Sequence, residues 1–196
     1  MEGSYSIYCI RHTIILIIFL FTSSTTLISA LEKTSVEFIK TSCSLTTYPT
    51  LCFSSLSTRS GAIQTSPKLL AQTALSVTLD TTRTTKLSMV KLSQIDGMTP
   101  LEVSAMKDCL ELLSDSVYEL KKSLEEMSQP GSKDSRLVMS DIQTWVSAAL
   151  TDEDTCSEGF ANDPKMKNVV RGKIVNVAHL TSNALALINS YASLSG

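Results

Sequence analysis

The spacing of four cysteines, Cys43, Cys52, Cys109 and Cys156, constrains this 196-residue chain more tightly than any other feature. Four cysteines can pair in three ways. In an antiparallel pair of helices, however, residues face one another when their numbers average to the turn between them. Cys43 and Cys52 centre on Thr47 and Tyr48, just before Pro49, and Cys109 and Cys156 centre on Ser132 and Lys133, beside Pro130-Gly131. Both midpoints fall on turn-forming residues. Pairing Cys52 with Cys109 would centre on Leu79 to Thr82, and Cys43 with Cys109 on Ser76, each inside a helical stretch. Helical-hairpin geometry therefore favours Cys43–Cys52 and Cys109–Cys156.

The fifth cysteine, Cys9, belongs to a segment with the pattern of a secretory leader. Arg11 and His12 precede an eight-residue apolar core, Ile14 to Phe21, and Ile28-Ser29-Ala30 ends in a small residue suited to cleavage. The apolar run is too short to span a bilayer, so residues 1–30 are expected to be a signal peptide. Its removal leaves an even number of cysteines, in keeping with an oxidising destination outside the cell. Residues 31–196 then form one domain, long enough to bury its own core. Taking away Arg11 and Glu2 leaves sixteen basic and eighteen acidic residues. That balance argues against nucleic acid, or a membrane after signal cleavage, as the partner, because both call for a basic face. No N-x-[ST] sequon is present, so N-glycosylation is not expected.

Proline and glycine punctuate the chain at wide intervals, as long helices joined by short loops require. Ser66-Pro67, Thr99-Pro100 and Asp163-Pro164 each place a capping side chain before a proline at the first helical position. Glu102 stands where it completes a capping box with Thr99. Gly97 and Pro130-Gly131 are the stop signals. Four long helices follow, about Pro67 to Ile95, Pro100 to Ser128, Lys133 to Ala161 and Pro164 to Ala192, preceded by a short helical hairpin over Thr34 to Ser57. The second has the cleanest seam: Val103, Met106, Leu110, Leu113, Val117, Leu120, Leu124 and Met127 recur at steps of three and four. Val138, Ile142, Trp145, Ala149, Cys156 and Phe160 line the third. Met166, Val170, Val177, Ala184, Leu187 and Tyr191 line the fourth. The first offers only a small, Thr-rich seam of Leu70, Ala74, Val77, Thr81, Thr84, Ser88 and Ile95, and a strand at Leu75 to Thr81 competes with it. Its cap, its stop and its neighbours favour a helix. The expected fold is all-α, an up-down-up-down four-helix bundle behind a helical hairpin.

Catalytic equipment is scarce. Beyond the leader there is one histidine, His179, and triad or metal chemistry needs partners for it. No His-x-x-x-His or Cys-x-x-Cys spacing occurs, and cysteines held in disulfides bind no zinc. Glycine-rich phosphate loops and the G-x-S-x-G elbow are absent. Asp152-Glu153-Asp154 contains carboxylates of the kind glycoside cleavage uses, but a solvated polar turn of a helix is the expected reading. Neither an enzyme nor a cofactor or metal site is expected. A rigid, stapled, secreted bundle without catalytic groups points to binding another molecule.

Three segments sharpen that reading: Cys43-Ser44-Leu45-Thr46-Thr47-Tyr48-Pro49-Thr50-Leu51-Cys52, Lys107-Asp108-Cys109-Leu110-Glu111-Leu112-Leu113, and Thr144-Trp145-Val146-Ser147-Ala148-Ala149-Leu150-Thr151-Asp152-Glu153-Asp154-Thr155-Cys156. They resemble the motifs of plant invertase and pectin methylesterase inhibitors. The resemblance implies a four-helix bundle with an N-terminal hairpin, one disulfide in the hairpin and one between the second and third bundle helices. It also implies one of two protein partners. Acid invertase inhibitors resemble one another in a Pro-Lys-Phe segment between the third and fourth cysteines, where this chain has Met127-Ser128-Gln129-Pro130-Gly131-Ser132-Lys133. Pro164-Lys165-Met166 lies after the fourth cysteine and reads as a helix start. The stretch from Gln143 to Cys156 is more like pectin methylesterase inhibitors, so pectin methylesterase is the expected partner and acid invertase the alternative.

The implied mechanism is occlusion of the enzyme's pectin-binding cleft in the apoplast or cell wall, by a preorganised helical face. Family domains of this kind also precede the esterases as pro-regions, and since the sequence stops at Gly196, action in trans is expected. The positions matching the family's binding region are Thr151 and Asp154, then Gln143, Thr144 and Ser147. The exposed flank of the second long helix, around Glu111 and Asp115, is the next candidate. Trp145 is expected in the core because of its place in the seam. A reading of a different class, a secreted carrier holding an apolar ligand inside the bundle, would require a cavity that the large seam residues should fill.

Overall fold

The computed structural model describes residues 31–129, 135–160 and 164–195. The leader and its cleavage site, the Pro130-Gly131 stop, Asp163 as a cap and the ends Lys133 and Ala161 lie outside these residues. Helix α1 occupies 31–43 and turns back through α2, Pro49–Leu56. A 3₁₀ turn at Ser57–Arg59 and the short α3, Ser60–Ile63, lead into the bundle. The bundle helices are α4, Pro67–Leu92, α5, Pro100–Ser128, α6, Ser135–Glu158, and α7, Pro164–Ser195. Each packs on its neighbours in the cyclic order α4, α5, α6, α7, while α2 lies against α4 and α7. Both expected disulfides are present, with Cα atoms 5.5 Å apart for Cys43–Cys52 and 4.4 Å apart for Cys109–Cys156.

The caps behave as their chemistry requires. Ser66 Oγ accepts the Leu69 N–H at 3.3 Å. At α5 the capping box closes in both directions, Glu102 N–H to Thr99 Oγ1 at 3.3 Å and Thr99 N–H to Glu102 Oε2 at 2.6 Å. Gly97 sits at φ +91 in the turn between α4 and α5, a conformation that a side chain would oppose.

Residues 75–81 are helical, not a strand, and the threonines show why α4 tolerates them. Thr73, Thr78, Thr81, Thr82 and Thr84 each donate their hydroxyl to the carbonyl four residues back, at 2.7–2.9 Å. Buried Thr78 and Thr82 therefore carry no unpaired donor into the core. The inward face of α4 differs from the expected seam. It consists of Leu70, Ala71, Ala74, Leu75, Thr78, Leu79, Thr82 and Met89, so that Thr84 is exposed and Ser88 only half-buried. Ile95 falls beyond the helix end at Leu92 and is 58% exposed.

On α5, Val103 in the first turn is also exposed, while Met106, Leu113, Leu120 and Met127 are buried. On α6 the buried line runs Ile142, Val146, Ala149, Glu153 and Cys156, and Phe160 extends it in the turn past the helix end. Trp145 is half-buried beside this line, with Lys122 Nζ 5.3 Å from its ring centroid. Its expected core position belongs to Val146. Ile174, Thr181 and Ile188 join the expected inward residues of α7.

The core divides into two clusters. One, beside the hairpin, contains Ile39, Cys43, Cys52, Leu75, Leu120, Val146, Ala184 and Ile188. The other, at the far end, contains Met89, Met106, Cys109, Leu113, Cys156, Phe160, Val170 and Ile174. Between them along the helices stand Thr82, Ser116, Glu153 and Thr181, one from each bundle helix and each fully buried. A polar layer thus crosses the middle of the bundle.

Candidate functional site

Of the positions singled out on α6, the structure exposes Thr144, Ser147, Thr151 and Asp154 and half-buries Gln143. Their spacing by threes and fours lays them along one side of the helix. Thr144 and Thr151 return their hydroxyl protons to the helix, to the carbonyls of Ser140 at 2.8 Å and Ser147 at 3.0 Å. Their outward surface is thereby methyl and oxygen, an acceptor face with little conformational freedom left to lose on contact. Gln143 is fixed differently: its Nε2 donates to Asn189 Oδ1 on α7 at 2.8 Å. Glu111 and Asp115, on the outer side of α5, are exposed.

Asp154 also opens onto a groove of about 390 Å³ between α6 and α7. Glu158 continues its row on α6, Lys167 and Arg171 stand on α7, and Tyr48 and His179 complete one end. The two rings are stacked, with centroids 3.6 Å apart and planes inclined by 18°. Tyr48 is held there by Asn183. Its backbone N–H donates to Asn183 Oδ1 and its carbonyl accepts from Asn183 Nδ2, both at 3.0 Å. The disulfide hairpin is thus clamped to α7 by a side chain 135 residues away. The rims of the groove are charged, and Leu150, Ile174, Val175 and Ala178 also line it.

A second charged region was not legible as such. Asp152, expected with its neighbours in a solvated turn, shares the α5–α6 junction with Asp115 and Glu119. Burial, then the charges of Asp152 and Asp115, push Glu119 up to about 7, and burial, then Asp115, raises Asp152. Glu153 is not solvated at all. It is fully buried in the polar layer, accepting the Ser116 hydroxyl on Oε1 at 2.8 Å, while Oε2 has no partner. Burial pushes its carboxyl up to about 7. The nearby hydroxyls of Thr181 and Ser116 oppose this, and the charges of Asp154 and Asp152 add to it. The Thr181 hydroxyl already points its proton at the Val177 carbonyl at 3.1 Å, so Ser116 is the donor on which Glu153 relies. One signal could have found this residue: Glu153 falls four after Ala149 and three before Cys156, on the apolar line.

Among the described residues, no group of three or more His, Cys, Asp and Glu is arranged to hold a metal ion, and no helix is long and apolar enough to cross a membrane.

Residues 37–187 match the family model described as plant invertase/pectin methylesterase inhibitor. The chain is 46% identical over 166 residues to pectinesterase inhibitor 10 of Arabidopsis thaliana, covering 83% of this chain and 53% of that relative, about half its length. It is 42% identical over 191 residues to pectinesterase inhibitor 11 of the same plant, covering 89% of this chain and 95% of the relative. The fold is shared with the crystal structure of a mutant form of a pectin methylesterase inhibitor from Arabidopsis. That likeness has a TM-score of 0.62 at 22% identity, over 75% of this chain and 92% of the other. With its two disulfides, its hairpin and its four-helix bundle, this chain belongs to the plant invertase/pectin methylesterase inhibitor family.

Proposed function

We propose that this chain is a secreted protein inhibitor of pectin methylesterase, acting in the plant cell wall after loss of residues 1–30. It binds the esterase and covers the cleft that receives methyl-esterified pectin. The observation that carries this reading is its similarity along most of its length to relatives named as pectinesterase inhibitors. The absence of a Pro-Lys-Phe segment between Cys109 and Cys156 weighs against acid invertase as the target. The exposed row on α6, centred on Thr151 and Asp154, is the surface we assign to the enzyme. It is polar, and the hydroxyls of Thr144 and Thr151 are already hydrogen-bonded to their own helix, so docking orders few side chains.

The direct test is titration of the purified, oxidised mature protein into pectin methylesterase and acid invertase side by side. Methanol release from pectin should fall to a stoichiometric end point while sucrose cleavage continues. Loss of sucrose cleavage with pectin de-esterification unaffected would transfer the assignment to invertase.

A further inference from the structure

The groove between α6 and α7 has a chemistry that covering an enzyme does not require. Asp154 and Glu158, one helical turn apart, form the rim on α6, and Lys167 and Arg171, one turn apart, form the rim on α7. Among the described residues, none of these four is in an ion pair within 4.0 Å. The Tyr48–His179 stack closes one end, held in position by the Asn183 clamp.

We propose that this groove binds a sugar acid, the uronate unit of an acidic oligosaccharide. The two rims call for different things. Guanidinium and ammonium groups are donors only, and a carboxylate is the partner that both offsets their charge and accepts their hydrogen bonds. Ionised Asp154 and Glu158 are acceptors only, so the ligand must bring them donors, as hydroxyls do. A simple anion would satisfy one rim and be repelled by the other. A neutral sugar would leave the cations unmatched, and an apolar molecule would strip four charges of water without compensation. A uronate is both anion and polyol, and the apolar face of its ring suits the aromatic pair. The volume, about 390 Å³, falls within the roughly 300–1,000 Å³ of small-ligand sites. The site stands whether or not the chain inhibits an esterase; only the choice of galacturonate as a probe rests on that reading.

The test uses the oxidised mature protein with no enzyme present. Isothermal titration and amide chemical-shift mapping are run with an α-1,4-linked galacturonate trimer, with its methyl ester, and with a short glucuronate-containing oligosaccharide. The expected result is binding of a uronate, with shifts confined to α6 around Asp154 and Glu158 and to α7 from Lys167 to His179. Esterifying the ligand and Arg171→Ala should each weaken binding about tenfold or more, as loss of a charge-assisted pair does. Helicity and melting temperature should not change in the variant. Binding of the glucuronate oligomer alone would still establish a sugar-acid site while removing its link to pectin. Failure of both uronates to bind at millimolar concentration would overturn the proposal, as would equal affinity for the ester or for the Arg171→Ala protein. Esterase inhibition is measured separately, so the two readings fail independently.

Discussion

Replacing Glu153 by Gln should make the protein more stable at neutral pH and leave it nearly unchanged in acid. The carboxyl is fully buried with one hydrogen bond, from Ser116, and an unpartnered Oε2. Its pKa is raised from an ordinary 4.5 to about 7. Because the folded state holds the proton more tightly than the unfolded chain, this group favours folding fully below about pH 4.5. That contribution is lost as pH rises to about 7 and is absent above it. A shift of this size corresponds to about 3 kcal/mol. For a domain of this length that is about 6–12 °C in melting temperature. Glutamine keeps an oxygen for the Ser116 hydroxyl and removes the charge. Urea unfolding of the oxidised protein at intervals from pH 4 to pH 8 should therefore show wild-type stability falling with pH. The Glu153→Gln variant should fall much less, since only the more exposed Glu119 and Asp152, shifted in the same direction, still contribute. A flat wild-type profile, or equal slopes for the two proteins, would refute the burial argument.

Asn183→Ala removes both hydrogen bonds that clamp Tyr48 and should lower stability by about 1–3 kcal/mol, read as a lower urea midpoint; Ser182→Ala, which loses only a 3.4 Å exposed contact with Thr47, should be close to neutral. Replacing both Cys109 and Cys156 by Ser opens a loop of sequence separation 47 and should cost up to about 4 kcal/mol, against about 3 for the separation of 9 at Cys43–Cys52. Asp154→Lys should weaken esterase inhibition through charge mismatch while leaving the melting temperature within about 1–2 °C, because the side chain is exposed; undiminished inhibition would move the interface to α5 around Glu111 and Asp115.

The fold was legible because its determinants are local or nearly so. Turn midpoints named both disulfides, and Ser66, Thr99 and Glu102 marked helix starts that the structure places at Pro67 and Pro100. Seams were less secure wherever apolar character and facing diverge. Val103, in the first turn of α5, and Ile95, just past the end of α4, are apolar and exposed. Thr78 and Thr82 are polar and buried because a threonine hydroxyl can spend its proton on its own helix. The groove was not legible, since it brings Tyr48 from the hairpin, Asp154 from α6 and Arg171 from α7 into one place. Only the packing of distant segments does that.

The sequence Asp152-Glu153-Asp154 shows how much the helical period decides. Successive residues on a helix point about 100° apart, so three neighbouring acids enter three environments. Asp152 meets Asp115 and Glu119 at the α5 junction, Glu153 enters the core, and Asp154 opens on the groove beside α7. Only the middle one bears on the register of the bundle. Sliding α5 by a turn would bring Leu113 or Leu120 to the place of Ser116 and leave Glu153 with no hydroxyl to accept, at the cost of an uncompensated buried carboxyl. The polar layer of Thr82, Ser116, Glu153 and Thr181 therefore selects one alignment of helices that two apolar clusters alone would hold less uniquely. That alignment is what brings Asp154 of α6 and Arg171 of α7 onto one groove. The stability given up at neutral pH by burying Glu153 and the geometry of the outer groove have a common origin in the direction of one helical turn.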